Sequence, residues 1–324
     1  MSNKKALRSS ARFIGADWGT SHLRLFLCDG EGVALEQRNG PGAAEAGGRF
    51  AAVFAAETRA WEAQQGQLPA VLCGMVGSRL GWIEAPYVPC PMQPEQIAGA
   101  CIAIEDAPRI AGAGIHIVPG LSCRNRFGAP DVMRGEETQL LGALGLVESL
   151  RSGRQLVCLP GTHTKWVVLE EGRISDFFTA PTGELFAVLR DHSVLTRQPQ
   201  GSEAGIETDA FEKGLASVAA QPATQVMHRL FECRSRVLSG ELPAAAAQAY
   251  LSGLLIASDV HGALRALADT FVPRTVVLVG VPQLTQLYAT ACATIDLDAL
   301  QLDGIPAALA GLTQVYRRLS EGGL

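Results

Sequence analysis

Between residues 22 and 29, Leu23, Leu25 and Leu27 alternate with other side chains, a period of two that predicts a strand. Residues 12–16 lead into it as an extended segment. Asp29-Gly30 is a turn signal, and residues 33–37 supply the returning strand. The stretch therefore reads as a β-hairpin whose tip is Asp17-Trp18-Gly19-Thr20, acidic and glycine-containing. Residues 43–65 are alanine-rich with apolar positions at helical spacing, and residues 70–75 form a short buried strand. A proline-rich loop fills 85–94, residues 96–104 fit strand or helix, and 115–121 is a further strand reaching Pro119-Gly120. Leu140, Leu141, Leu144 and Val147 follow Gly135-Glu136-Glu137 as an amphipathic helix over 134–149. Its first-turn acids complement the helix dipole.

The opening pattern then returns. Residues 155–159 are a strand, Pro160-Gly161-Thr162-His163-Thr164 a tight turn, and 165–170 a second strand. After Glu171-Gly172, residues 173–177 make a third. A strand, a Gly-Thr turn and a strand near residue 18 and again near residue 162 read as a weak duplication, one copy in each of two domains. These are expected at 1–130 and 131–324. The remainder is mostly helical, over 202–220, 221–230, 243–267, 283–290 and 303–318, with one buried strand at 275–280.

Composition narrows the function classes. Hydrophobic residues make up 48% and charged residues 18%, enough apolar material for two cores. A net charge of -5 leaves no basic field to gather nucleic acid or an anionic membrane, and 6% aromatics is poor for base stacking. The eight cysteines include no C-x-x-C pair, so they read as buried, reduced thiols rather than a metal ribbon. No apolar targeting segment follows Met1, and no apolar run is long enough to span a bilayer, so the expected compartment is the cytosol.

The two turns carry chemistry. A carboxylate closing a buried strand, as Asp17 does, suits a hydrated Mg2+, which keeps most of its waters. Gly19 lets backbone approach phosphate oxygens, and the Thr20 and Ser21 hydroxyls can donate to them. Gly161, Thr162 and Thr164 repeat this in the second half, with Lys165 beside them, so the pair can clamp a triphosphate from two sides. The strand Val276-Val277-Leu278-Val279-Gly280, followed by a helix, gives a flat ring room against the backbone at Gly280.

These three elements in this order resemble the actin, hexokinase and heat-shock ATPase superfamily. The chain between them resembles the 2-dehydro-3-deoxygalactonokinase family more closely, over residues 13 to about 315. The segments that carry this are Cys73-Gly74-Met75-Val76-Gly77-Ser78-Arg79-Leu80-Gly81-Trp82, Asp131-Val132-Met133-Arg134-Gly135-Glu136-Glu137, Leu159-Pro160-Gly161-Thr162-His163-Thr164-Lys165-Trp166 and Thr182-Gly183-Glu184-Leu185-Phe186. The resemblance implies an α/β fold of two actin-like (ribonuclease H-like) domains with an ATP cleft between them. It also implies Mg-ATP-dependent phosphorylation of a small sugar acid at its terminal hydroxyl.

Phosphoryl transfer to an alcohol is positioning, charge neutralisation and a base for the proton. Glu136 and Asp131 are the candidate bases, with Glu137 a third. Gly135-Glu136 fits best the place the carboxylate takes in resembling sugar kinases. A sugar-acid carboxylate is best held by arginine, and Arg79 and Arg134 are the candidates, with Trp82 and Tyr87 as pocket walls. A homodimer is common for enzymes of this size. Rival readings are a kinase of another sugar, a non-catalytic ATP-binding switch, and a phosphatase on the same fold.

Overall fold

The computed structural model describes residues 10–105, 114–196 and 208–321. The first half supplies β1 (Phe13–Trp18), β2 (His22–Cys28), β3 (Ala34–Pro41), β4 (Ala70–Gly74), β5 (Tyr87–Pro89), β6 (Ile102–Ala103), β7 (Ile115–Ile117), β8 (Gly120–Arg124) and β9 (Pro130–Met133). The second supplies β10 (Arg154–Leu159), β11 (Thr164–Glu170), β12 (Arg173–Ala180), β13 (Thr275–Gly280) and β14 (Asp298–Asp303).

The first sheet runs β3-β2-β1-β4-β7-β6 and the second β12-β11-β10-β13-β14. Each opens with an antiparallel three-strand meander, and each then adds a strand parallel to the first strand of that meander. The duplication read from the two Gly-Thr turns is thus a duplication of topology. The turns at 19–21 and 161–163 occupy the same place in each copy.

Both faces of the central strands are covered, which explains their near-continuous apolar runs. In β10, Leu156 and Cys158 point to an outer core with the helix Ala247–Leu267, while Val157 and Leu159 point to an inner one. In β13, Val276 and Leu278 divide from Val277 and Val279 in the same way. The inner core draws on both sheets, through Phe13 and Val71 of one and Val157 and Val277 of the other. The helices Glu136–Leu146 and Gly304–Glu321 fill it with Leu140, Leu144, Leu312 and Val315. They cross at backbone contact: a Cβ on Gly142 would lie 1.8 Å from the Ala307 oxygen, and one on Gly311 1.9 Å from the Thr138 oxygen. Phe13 stacks on Tyr316 at 4.3 Å, so the last helix also seals the first sheet.

A third sheet, β5-β8-β9, bridges the halves. Met92 exchanges two backbone hydrogen bonds with Ile174 of β12, at 2.9 and 3.0 Å.

Several elements differ from expectation. The helix expected over 43–65 is two, Ala43–Ala46 and Phe50–Gln65, because Gly47 (φ 54°) and Gly48 (φ 83°) turn left-handed between them. The strand expected over 115–121 divides at Val118-Pro119 into β7 and β8, in different sheets. Residues 96–104 hold both a short helix, Glu95–Gly99, and β6. Residues 221–230 are mainly turns with one 3-10 turn, Val226–His228, and the helix comes later, at Glu232–Leu238. Of the helix expected over 202–220, residues 202–207 lie outside the described residues, and Thr208–Ala220 is helical.

Candidate active site

The first turn is held from behind. The Ala43 and Ala44 N–H groups donate to the Gly19 and Thr20 carbonyls, both at 3.0 Å. Gly42 packs so close that a Cβ there would lie 2.3 Å from the Ser21 carbonyl carbon. Thr20 and Ser21 are therefore presented outward, and both are exposed. Asp17 is half-buried at the end of β1, and its carboxylate accepts one hydrogen bond among the described residues, a long one from Arg24 Nη1 at 3.3 Å. Burial pushes its carboxyl above the ordinary value, with Arg24 opposing. Such a carboxylate, with lone pairs to spare, fits a hydrated Mg2+.

Two glycines bring the central helix to this point. Gly74 (φ 89°) rests on the Trp18 carbonyl, and Gly135 (φ 105°) stands against Gly74, so the helix beginning at Glu136 starts beside the ends of β1 and β4. The buried Cys73 thiol, register partner of Asp17, feels Asp17, Glu137 and Glu136 together. The Glu136 carboxylate accepts the Arg134 N–H at 3.1 Å. Burial raises its carboxyl, opposed first by the Lys165 charge and also by the His163 ring. Glu137 points inward, fully buried, accepting from the Gly135 N–H at 2.6 Å and the Thr138 hydroxyl at 3.0 Å. Burial, then the neighbouring Glu136 charge, pushes it up to about 8. Of the adjacent acids, Glu136 alone is partly open.

Asp131 is saturated instead. Its oxygens accept from the Thr179 hydroxyl (2.6 Å), the Thr179 N–H (2.9 Å), the Val132 N–H (2.9 Å) and Asn125 Nδ2 (3.2 Å). It pins β9 to β12.

In the second turn, Gly161 faces open space, and Thr162 and His163 are exposed. The turn is braced by the start of the helix Thr182–His192. A Cβ on Gly183 would lie 2.4 Å from the Gly161 oxygen, and the Glu184 N–H donates to the Thr162 carbonyl at 2.9 Å. Thr164 and Lys165 face the interior. The Thr164 hydroxyl is buried against the Tyr288 hydroxyl at 2.9 Å. The Lys165 ammonium donates to the Val132 carbonyl (2.9 Å) and the Thr179 hydroxyl (2.8 Å).

Next to Gly161 opens a cavity of about 340 Å³, walled by Phe186, Leu284, Leu287 and Tyr288 among others. Two of its lining residues, Thr182 and Tyr288, are held by Asp259, which accepts from Trp166 Nε1 (2.8 Å), the Thr182 hydroxyl (2.6 Å) and the Tyr288 hydroxyl (2.7 Å). Burial raises the Asp259 carboxyl, and these three donors oppose it. Gly280 does not line the cavity. It lies against Pro160 and Gly304, and the helix that follows it, Pro282–Ala293, supplies the wall. Sequence reasoning missed Asp259, whose signal was a lone acid within the apolar run of a long helix.

On the other side stands the loop after β4. Arg134 Nη2 donates to the Ala85 carbonyl at 2.7 Å, and the guanidinium lies 4.3 Å from the Tyr87 ring centroid. Its Nε and Nη1 are buried and have no hydrogen-bond partner among the described residues. Gly77 makes the room, since a Cβ there would lie 2.9 Å from Nη1. The Ser78 hydroxyl, not singled out from sequence, is also buried without a partner among the described residues. Arg79 is exposed, and Trp82 packs partly buried against Phe54, ring centroids 5.9 Å apart.

The sequence profile of 2-keto-3-deoxy-galactonokinase matches residues 17–315. The chain belongs to the 2-keto-3-deoxy-galactonokinase family. A Rhizobium meliloti (strain 1021) protein named a probable 2-dehydro-3-deoxygalactonokinase is 38% identical, over 97% of this chain and 99% of its own. The 2-dehydro-3-deoxygalactonokinase of Escherichia coli (strain K12) is 35% identical, over 94% and 98%. A solved structure from Sinorhizobium meliloti, described provisionally as a 2-dehydro-3-deoxygalactonokinase protein, superposes with a TM-score of 0.85. It shares 37% identity and covers 96% of this chain and 100% of its own. The family assignment expected from the loop and turn motifs is borne out, and so is the actin-like α/β fold. The activator of 2-hydroxyisocaproyl-CoA dehydratase from Clostridium difficile, 12% identical at a TM-score of 0.50 over 96% of each chain, shares that fold.

Proposed function

We propose that the chain transfers the γ-phosphoryl group of ATP to the terminal hydroxyl of 2-dehydro-3-deoxy-D-galactonate, giving the 6-phosphate and ADP. The observation that carries this reading is the juxtaposition across Gly135. Arg134, with buried and unpaired N–H groups, offers a planar fork to the substrate carboxylate. Two residues on, Glu136 holds a carboxylate that burial has made more basic. The relatives' names support the same acceptor.

As the bond from the sugar oxygen to the γ-phosphorus forms and that to the bridging oxygen of ADP breaks, Glu136 takes the hydroxyl proton. The cavity beside Gly161 takes the adenosine, with Gly280 behind its wall, and Thr20, Ser21, Gly19 and Thr162 face the phosphates from two sides. Mg2+, when bound, neutralises charge on the triphosphate, and Asp17 holds its hydrated shell. Tyr87 and Trp82 wall the sugar acid, and Arg79 reaches it from the rim.

The halves 1–130 and 131–324 act as two lobes that close on the substrates and exclude water. No helix among the described residues is long and apolar enough to cross a membrane. We place the enzyme in the cytosol, as a homodimer, in galactonate catabolism. The test is product identity: phosphorus NMR of the reaction with 2-dehydro-3-deoxy-D-galactonate should show a monoester on the terminal carbon. A product phosphorylated elsewhere would contradict the arrangement of Arg134 and Glu136.

A further inference from the structure

The second turn was expected to meet phosphate through Thr164 and Lys165, yet both side chains are committed to the interior, to Tyr288 and to Val132 and Thr179. The outward side chain of the turn that can carry a positive charge is His163. Its Nε2 lies 2.8 Å from Glu184 Oε2, and both side chains are about half exposed, at 51% and 55%. The Glu184 backbone is tied to the same turn, because its N–H donates to the Thr162 carbonyl. The imidazole is therefore aimed by a carboxylate anchored to its own loop.

Its position along the turn is informative. Gly161 borders the nucleotide cavity, while the His163 ring is near enough to Glu136 to act on that carboxylate electrostatically. On the kinase reading, a triphosphate whose adenosine fills that cavity lies along residues 161–163 of the turn. We propose that His163 is a catalytic residue, whose imidazolium, aimed by Glu184, donates a hydrogen bond to the phosphoryl group as it moves from ADP to the sugar acid.

When the ring carries both protons, Nε2–H is committed to Glu184, and Nδ1–H makes no other hydrogen bond among the described residues. Nδ1–H is then the group left to meet a phosphoryl oxygen. The charge on the three equatorial oxygens is what a fixed donor stabilises in such a transition state. His163 neither gains nor loses a proton in the step. The bonds made and broken are those already stated, and the hydroxyl proton still goes to Glu136. Glu184 is a positioning residue that acts through the ring.

The inference rests on the kinase reading, so wild type, His163→Ala, His163→Gln and Glu184→Gln are measured together by coupled ADP release with 2-dehydro-3-deoxy-D-galactonate. Loss of one fixed donor to a transition-state oxyanion lowers kcat about 10²–10³-fold, and that is expected for both His163 variants. Sugar-acid KM should stay within about twofold and melting temperature should be unchanged, since the side chain is half exposed. Free imidazole added to His163→Ala should restore activity at least about tenfold, and Glu184→Gln should lose less than either His163 variant. A His163→Ala kcat within about threefold of wild type overturns the proposal. So does a loss that imidazole does not restore and that tracks a lowered melting temperature or a raised ATP KM. If the wild type itself shows no release dependent on the sugar acid, the kinase reading fails and takes this inference with it. An active wild type with an indifferent His163→Ala sinks the inference alone.

Discussion

Replacing Arg134 by lysine or methionine separates substrate recognition from nucleotide binding. Among the described residues the Arg134 guanidinium makes one hydrogen bond, 2.7 Å to the Ala85 carbonyl, and lies 4.3 Å from the Tyr87 ring centroid. Nε and Nη1 have no partner among the described residues, so the guanidinium sits desolvated and under-satisfied until an anion arrives. A hydrogen bond to a charged group contributes about 1.5–3 kcal/mol. At about 1.4 kcal/mol per tenfold, Arg134→Met should raise sugar-acid KM about 10–150-fold. Arg134→Lys keeps the charge but loses the planar fork, so its effect should lie near the lower end. ATP KM should hold, because neither Arg134 nor its contacts Ala85 and Tyr87 line the cavity beside Gly161. Steady-state ADP release with each substrate varied in turn gives both constants, and thermal melting checks the fold. Removing a buried, unpaired charge should leave the melting temperature unchanged or raised. If both KM values rise in proportion, or the methionine variant keeps the wild-type sugar-acid KM, Arg134 is not the carboxylate ligand.

Glu136→Gln should lower kcat about 10²-fold or more with ATP affinity intact, read by turnover and by binding of a non-hydrolysable analogue; full activity would remove Glu136 as the base. Glu137 supplies a pH signature. Its carboxyl is raised to about 8, so its contribution is fully present below the ordinary value of 4.5 and is lost as pH rises through 8. Wild type should therefore lose stability relative to Glu137→Gln across that window, by at most about 1.4 kcal/mol per pH unit, in urea titrations at stepped pH; parallel profiles would contradict the burial argument. Asp259→Asn leaves one of three buried donors unmatched, a loss of about 1–3 kcal/mol. It should raise ATP KM while sparing sugar-acid KM, and an unchanged ATP KM would separate the cavity from the nucleotide. Gly142→Val cannot be accommodated beside the Ala307 carbonyl without parting the two central helices. Overpacking of this kind costs about 1–3 kcal/mol or more, and an unshifted urea midpoint would show that the crossing is not tight.

The parts of the fold governed by local period were legible in the sequence. Leu23, Leu25 and Leu27 mark β2 because alternate side chains of a strand share a face, and the repeated Gly-Thr turn marked the duplication. The division of residues 115–121 was not legible, since an apolar run through Val118 and Pro119 looks the same whether it stays in one sheet or crosses to another. At the candidate site, Asp17, Arg134 and Glu136 could be picked out as candidates because the chemistry proposed for them is tied to turns and a helix start. The inward orientation of Lys165 could not, because β11 is buried almost throughout and a two-sided strand carries no alternation to say which way a side chain points. The cavity beside Gly161 joins residues from 161 to 288, and Asp259 is recognised only once Trp166, Thr182 and Tyr288 are seen to converge on it.

The central claim is tested most directly by coupled ADP release from Mg-ATP with 2-dehydro-3-deoxy-D-galactonate, its gluconate epimer, several aldoses and no acceptor. Release that depends on the galactonate acid, with little from the aldoses and none without acceptor, is the predicted result. Release with an aldose but not the acid, or release without any acceptor, would contradict the account.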